Sequence, residues 1–129
     1  MNLPEDIKYS KEHEWIKVSG NIAIIGVSDY AQDQLGEVVF VELPDEGEEF
    51  EKGDAFGVIE SVKSVNDIYA PISGRIVEVN DPVADSPEIV NEDPYGEGWL
   101  VKIEMTDPKE LADLMSAKDY EAYIKEESE

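Results

Sequence analysis

Along the first two-thirds of the chain, apolar positions recur with a period of two, the spacing of half-buried β-strands. "EWIKVSGNIAIIGV" (14–27) alternates on both sides of Ser19-Gly20, which predicts a tight hairpin turning at that pair. "SDYAQDQLG" breaks the alternation with a short helix, Ser28 at its N-cap and Gly36 as its stop. "EVVFVEL" reads as a largely buried strand, and "PDEGEEFEKGD" as a run of polar turns. Then "AFGVIES", "SVNDIYA" and "GRIVEVN" give three short strands, separated by Lys63 and by "PISG". Such regular spacing predicts a small sandwich or barrel. Trp15, Phe40, Phe56 and Trp99 fall on strands and are assigned to core packing. Tyr30 and Leu35 are expected to lay the short helix across one end of the barrel.

From Asp81 to Gly98, Pro82, Pro87, Pro94, Gly96 and Gly98 predict a loop. "WLVKIEM" returns as the last strand. Beyond it Asp107 caps a helix with Pro108 in its first turn and Glu110 three residues after the cap. Leu111, Leu114 and Met115 form its apolar face. Ser116 caps a second helix that turns Tyr120, Tyr123 and Ile124 inward, and "KEESE" is expected to fray. The chain is read as a single domain over 1–129, with a β core at roughly 14–105 and a helical segment at 107–127.

The 129 residues are enough to bury a core without disulfides or metals. With no cysteine there is no thiol nucleophile and no thiolate metal site. Ten basic against 32 acidic residues leave a net charge of −22, which repels phosphate backbones and anionic lipid and favours basic protein surfaces. No apolar run reaches membrane-spanning length, and "MNLPEDIKYS" has the pattern of neither a signal nor a transit peptide. "DPVADSPEIVNE" fails the calcium-loop pattern at its third and sixth positions, Val83 and Ser86. "GEGW" lacks the strand and helix of a phosphate cradle.

Lys63 stands alone between two strands, eleven residues from Lys52 and twelve from Arg75. A turn lysine is exposed, because an ammonium resists burial. It is almost wholly protonated at neutral pH and a weak nucleophile by itself. Glu60 and Asp67 would only stabilise that charge. Lys63 is therefore a poor catalytic base and a good target for a foreign enzyme. Val62 and Lys63 suit the centre of a type I turn, which needs no glycine.

Here a family resemblance enters. "ESVKSVNDIYAPISG" resembles the lipoyl-lysine segment of the glycine cleavage system H-protein family. "KYSKEHEWI", "GVSDYAQDQLGEVVFVELP" and "NEDPYGEGWL" match in the same order, across nearly the whole chain. The resemblance implies a mainly β fold of the lipoyl/biotinyl type, a flattened β-barrel sandwich with a short internal helix and C-terminal helices. It implies that Lys63 carries lipoate as N6-lipoyl-lysine, on an attachment hairpin with Glu60, Ser61 and Val62. The arm would take an aminomethyl group from the pyridoxal-phosphate glycine decarboxylase. It would pass the methylene to tetrahydrofolate on the aminomethyltransferase, then be reoxidised by the FAD-containing dihydrolipoyl dehydrogenase. Lipoate-attaching enzymes are the remaining partners. The protein would be a carrier, not an enzyme. Apart from the resemblance, its charge argues against nucleic-acid and membrane partners, no metal site is expected, and the lack of a long exposed apolar stripe predicts a monomer. It is expected in a bacterial cytoplasm, or in the mitochondrial matrix for a processed eukaryotic chain.

The resemblance also implies that the loaded arm folds back on the protein. Its terminal ammonium needs a carboxylate, and Glu14 and Asp67 occupy the matching positions. His13, the one histidine, reads as a surface or capping residue with a place beside the arm. Glu12 stands where some members have a hydroxyl residue. Alternatives remain: a biotinyl carrier, which usually sets methionines beside its lysine; a lipoyl domain of a 2-oxo acid dehydrogenase, with an Asp-Lys-Ala turn and a linker; a lipoyl donor to such complexes; or an unmodified domain.

Overall fold

The structure is a computed structural model and describes residues 2–128. Two antiparallel sheets pack over a common apolar core. The larger has strand order β1-β2-β3-β9-β8-β5: β1 Lys8–Tyr9, β2 Glu14–Ser19, β3 Ile22–Val27, β9 Val101–Met105, β8 Gly74–Val79 and β5 Glu49–Phe50. The smaller is β4-β6-β7: β4 Val38–Glu42, β6 Ala55–Ser61 and β7 Val65–Tyr69. The two sheets form a lipoyl-type sandwich and do not close on themselves. The short strands β1 and β5 were not legible in the pattern; β5 lies inside the stretch read as polar turns.

The two-residue period is realised on β2 and β3. Ile16, Ala23, Ile25 and Val27 face the core between the sheets, while Trp15 and Ile24 face the other way. The hairpin between them turns at Gly20-Asn21, one residue later than expected, because Ser19 still pairs with Ile22. Gly20 takes φ +62°, the positive value required at the first central position of a type II′ turn.

The stretch from Asp81 to Gly98 is not a plain loop. It holds two short helices, α2 Asp81–Asp85 and α3 Ile89–Glu92. Val83 and Val90 are completely buried in the central core. Prolines that forbid strands are tolerated in first helical turns, as Pro82 is here.

Phe40 also departs from the expected core position. It is 47% exposed, for a reason visible in the register: a bulge between Val38 and Phe40 sets two residues of β4 against one of β6. Trp15 and Phe56 are buried, and Trp99 is half-buried under Lys102.

After β9 the expected helix is a 3-10 helix, Pro108–Asp113, with Asp107 capping the amide of Lys109. Helix α4, Ala117–Ser128, closes the back of the larger sheet and runs through most of the tail expected to fray. Tyr120 stacks on Tyr9 with ring centres 4.6 Å apart and planes 2° from parallel. Ile124 is buried there, contributing about 2 kcal/mol, and Tyr123 is half-buried. Helix α1, Asp29–Leu35, has the expected caps: Ser28 Oγ accepts from Ala31 N–H, and Gly36 at φ +77° ends it. Tyr30 packs toward the α4 cluster and Leu35 toward the central core, so the helix spans one end of the sandwich.

Candidate functional site

The β6–β7 hairpin carries Lys63 at its tip, exposed, with Val62 and Lys63 both at negative φ as a glycine-free turn requires. Ser61, buried at 5%, organises that turn: its hydroxyl oxygen accepts the amides of Lys63 (3.3 Å) and Ser64 (3.2 Å). The Ser61 amide donates to Ser64 C=O at 2.8 Å. The tip is also anchored from outside, since Val62 N–H donates to Glu37 C=O at 3.0 Å. Glu37 is held in turn by Asn91, whose Oδ1 accepts Val38 N–H (2.9 Å) and whose Nδ2 donates to Gly36 C=O (2.7 Å). Asn91 lies in the stretch read as loop, so its role was invisible in the pattern; the signal was Val90, an apolar residue in a polar run.

Beside the hairpin lies a cleft of about 570 Å³ between α1, the β1–β2 turn and β7. Glu14, His13, Asp67 and Ser64 all line it, as do the apolar side chains of Leu35, Ile59 and Ile68. The adjacent pair His13 and Glu14 and the distant Asp67, all sequence-predicted, thus meet in one cleft beside the Lys63 hairpin. Glu60 does not line it; its place in β6 is between Phe40 and Val65 on the neighbouring strands.

The β1–β2 turn sets Glu14 by a specific geometry. His13 N–H donates to Ser10 C=O (3.1 Å), closing a β-turn, and His13 then adopts φ +71°. That left-handed residue completes a three-residue hairpin loop and returns the chain into β2 at Glu14. Glu14 is 2% exposed. Its Oε1 accepts Ser10 Oγ–H at 2.6 Å and its Oε2 the Tyr69 amide at 3.3 Å. Desolvation holds its pKa up at about 7 from an ordinary 4.5, against the lowering effect of those two hydrogen bonds. Among the thirty-two acidic residues this one is not a solvated surface charge. Asp67 is exposed on the edge strand β7.

His13 is committed elsewhere. Its Nδ1 lies 2.8 Å from Tyr120 Oη and its Nε2 3.1 Å from Glu127, within a ring of Tyr30, Tyr120 and Tyr123. It forms a wall of the cleft and links α4 to it. Ser10 and Ser61 were the hydroxyls whose work the pattern did not reveal.

Two packed antiparallel sheets with a lone exposed lysine on a stiff hairpin make this a carrier domain of the lipoyl-type sandwich. The model of the glycine cleavage H-protein family matches residues 7–127, so the chain belongs to that family, the lipoyl carriers of the glycine cleavage system. A glycine cleavage system H protein of Carboxydothermus hydrogenoformans is 58% identical over 127 residues, covering 98% of each chain. One of Symbiobacterium thermophilum is 58% identical over 125 residues, covering 97% of this chain and 98% of its own. The crystal structure of a glycine cleavage system H protein from Mycobacterium marinum superposes with a TM-score of 0.84 at 38% identity, covering 91% of this chain and 94% of the other.

Proposed function

We propose that Lys63 bears lipoate in amide linkage and that the chain, one non-catalytic domain, is a monomeric shuttle in a bacterial cytoplasm. Its partners in this reading are the pyridoxal-phosphate glycine decarboxylase, the tetrahydrofolate-dependent aminomethyltransferase, the FAD-containing dihydrolipoyl dehydrogenase and the lipoate-attaching enzyme. The observation that carries the proposal is the pairing of an exposed lysine on an anchored tip with an adjoining cleft lined by a buried carboxylate.

The attached group supplies a dithiolane that accepts the aminomethyl cargo and departs as a dithiol. Its acyl chain and ring suit a cleft of this size and its apolar side, Leu35, Ile59 and Ile68. Ser61 and Glu37 hold the attachment point still, so docking presents the arm to a partner at an effective concentration of order mM. The cleft serves transit between partners. Burial raises the pKa of the Glu14 carboxyl to about 7, and an ammonium group within bonding distance favours its ionised form. Asp67 adds a second negative charge at the rim. The apolar walls limit the water that would hydrolyse the cargo to formaldehyde and ammonia.

Intact-mass analysis of protein made in a lipoate-replete host tests the reading. The native chain is expected to gain one lipoyl group and Lys63→Arg none; an unmodified native chain under these conditions overturns it. For the cleft, Glu14→Gln is expected to shorten the half-life of the loaded arm roughly tenfold, the worth of one charge-assisted hydrogen bond. An unchanged half-life removes Glu14 from this role.

A further inference from the structure

Among the described residues, five large apolar side chains are strongly exposed, and four of them gather around Lys63. Val62 (66% exposed) is its neighbour at the tip. Val65 (65%) opens β7 opposite Glu60, and Glu60 in turn pairs with Phe40 (47%). Directly paired residues project from the same side of a sheet, so Phe40, Glu60 and Val65 form one outward row. The β4 bulge places Val39 (48%) outward beside Phe40. Gathered on both sides of Glu60, these exposed apolar side chains form a patch of the kind that marks a contact site. Its margin is acidic: Glu37 and Glu42 are exposed at the two ends of β4. Within 37–42 and 60–65, Lys63 is the one basic residue.

We propose that Val39, Phe40, Val62 and Val65 form the docking patch for the enzyme that acylates Lys63, a partner with an apolar centre and a margin of lysines and arginines. This rests on the reading of Lys63 as the modified residue. The choice of occupant follows from reach. Before acylation the amine stands only a lysine side chain away from the backbone, so the attaching active site must come down onto the tip and cover what surrounds it. After acylation the long arm lets later partners work from further off. The acidic margin repels acidic surfaces and is complementary to basic ones, which favours fast encounter with the stated partner.

The test uses the unmodified full chain with purified lipoate-attaching enzyme, lipoate and ATP, reading kcat/KM for acylation. The double variant Val39→Ser/Phe40→Ser is expected to lose tenfold or more, chiefly in KM. Val18→Ser, which alters the fifth exposed apolar residue, on the other sheet, is expected to stay within twofold. After long incubation to full acylation, the double variant should be reduced and reoxidised by dihydrolipoyl dehydrogenase within twofold of the native rate. Should the double variant lose its native thermal transition, Glu37→Lys/Glu42→Lys replaces it, with a lower acylation rate and a weaker salt dependence expected. An unchanged acylation rate in the folded variants overturns the proposal. So does an equal loss with the dehydrogenase, which would make the patch general. A concentration-dependent dimer of native chain abolished by the double variant overturns it in favour of a second copy. Failure of the underlying reading is separate: the native chain would not be acylated, or Lys63→Arg would be.

Discussion

Glu14 and Tyr69 are joined across the seam between the two sheets: Oε2 of Glu14, the first residue of β2, accepts the backbone N–H of Tyr69, the last residue of β7, at 3.3 Å. A carboxyl that lines the cleft therefore also links two of its walls.

That buried carboxyl carries a pH dependence of stability. With its pKa raised by burial to about 7 from 4.5, the folded state binds the proton more tightly than the unfolded one. The stabilising contribution, on the order of 3 kcal/mol, is fully present below about pH 4.5 and is lost as pH rises through about 7. Urea unfolding of native protein and Glu14→Gln across this range should show the native curve falling relative to the variant toward alkaline pH. Parallel curves would remove the assignment.

Asn91 satisfies three groups, the amide of Val38, the carbonyl of Gly36 and, at 3.1 Å, Gln32 Oε1. Asn91→Ala is expected to cost about 1–3 kcal/mol, because backbone groups lose partners in a partly buried site. It should also speed amide exchange at Val62, whose acceptor Glu37 it steadies. A variant with native exchange at Val62 would show that the hairpin tip does not depend on this link.

The phenol of Tyr120 bridges Ser28 Oγ (2.7 Å) and His13 Nδ1 (2.8 Å), tying α4 to the cap of α1 and to the cleft wall. Tyr120→Phe keeps the stack on Tyr9 and is expected to cost about 1–2 kcal/mol. Tyr120→Ala, which also empties the ring's site, should cost about 3–5 kcal/mol. Thermal unfolding distinguishes them; equal losses would mean that the ring's packing contributes nothing beyond the hydroxyl network, and an unchanged Tyr120→Phe would mean that the hydroxyl network contributes nothing beyond packing.

Gly57 lies on β6 where the β4 backbone comes close: a methyl group there would stand 2.5 Å from Glu42 C=O. Gly57→Ala is expected to lose about 1–3 kcal/mol, since the clash is with backbone rather than with a side chain that can swing away. Stability within a few tenths of the native value would show that β4 gives way.

Local chemistry determined what was legible in the chain itself. The two-residue period on β2 and β3, the Ser28 and Gly36 caps, and the lone lysine between two strands all depend on neighbours a few residues apart, so pattern alone carried them. The matching blocks of a family then attached a cofactor to that lysine, which no periodicity could do. What needed the tertiary structure were properties created by distant parts meeting. Glu14 is one acid among many until β7 covers it and removes its water. Asn91 is a loop residue until its helix packs against the turn before β4. Phe40 reads as core in a strand taken as largely buried, and only its register against β6, shifted by the bulge, turns it outward. Burial and register are sums over residues remote in sequence, and the fold had to form before either had a value.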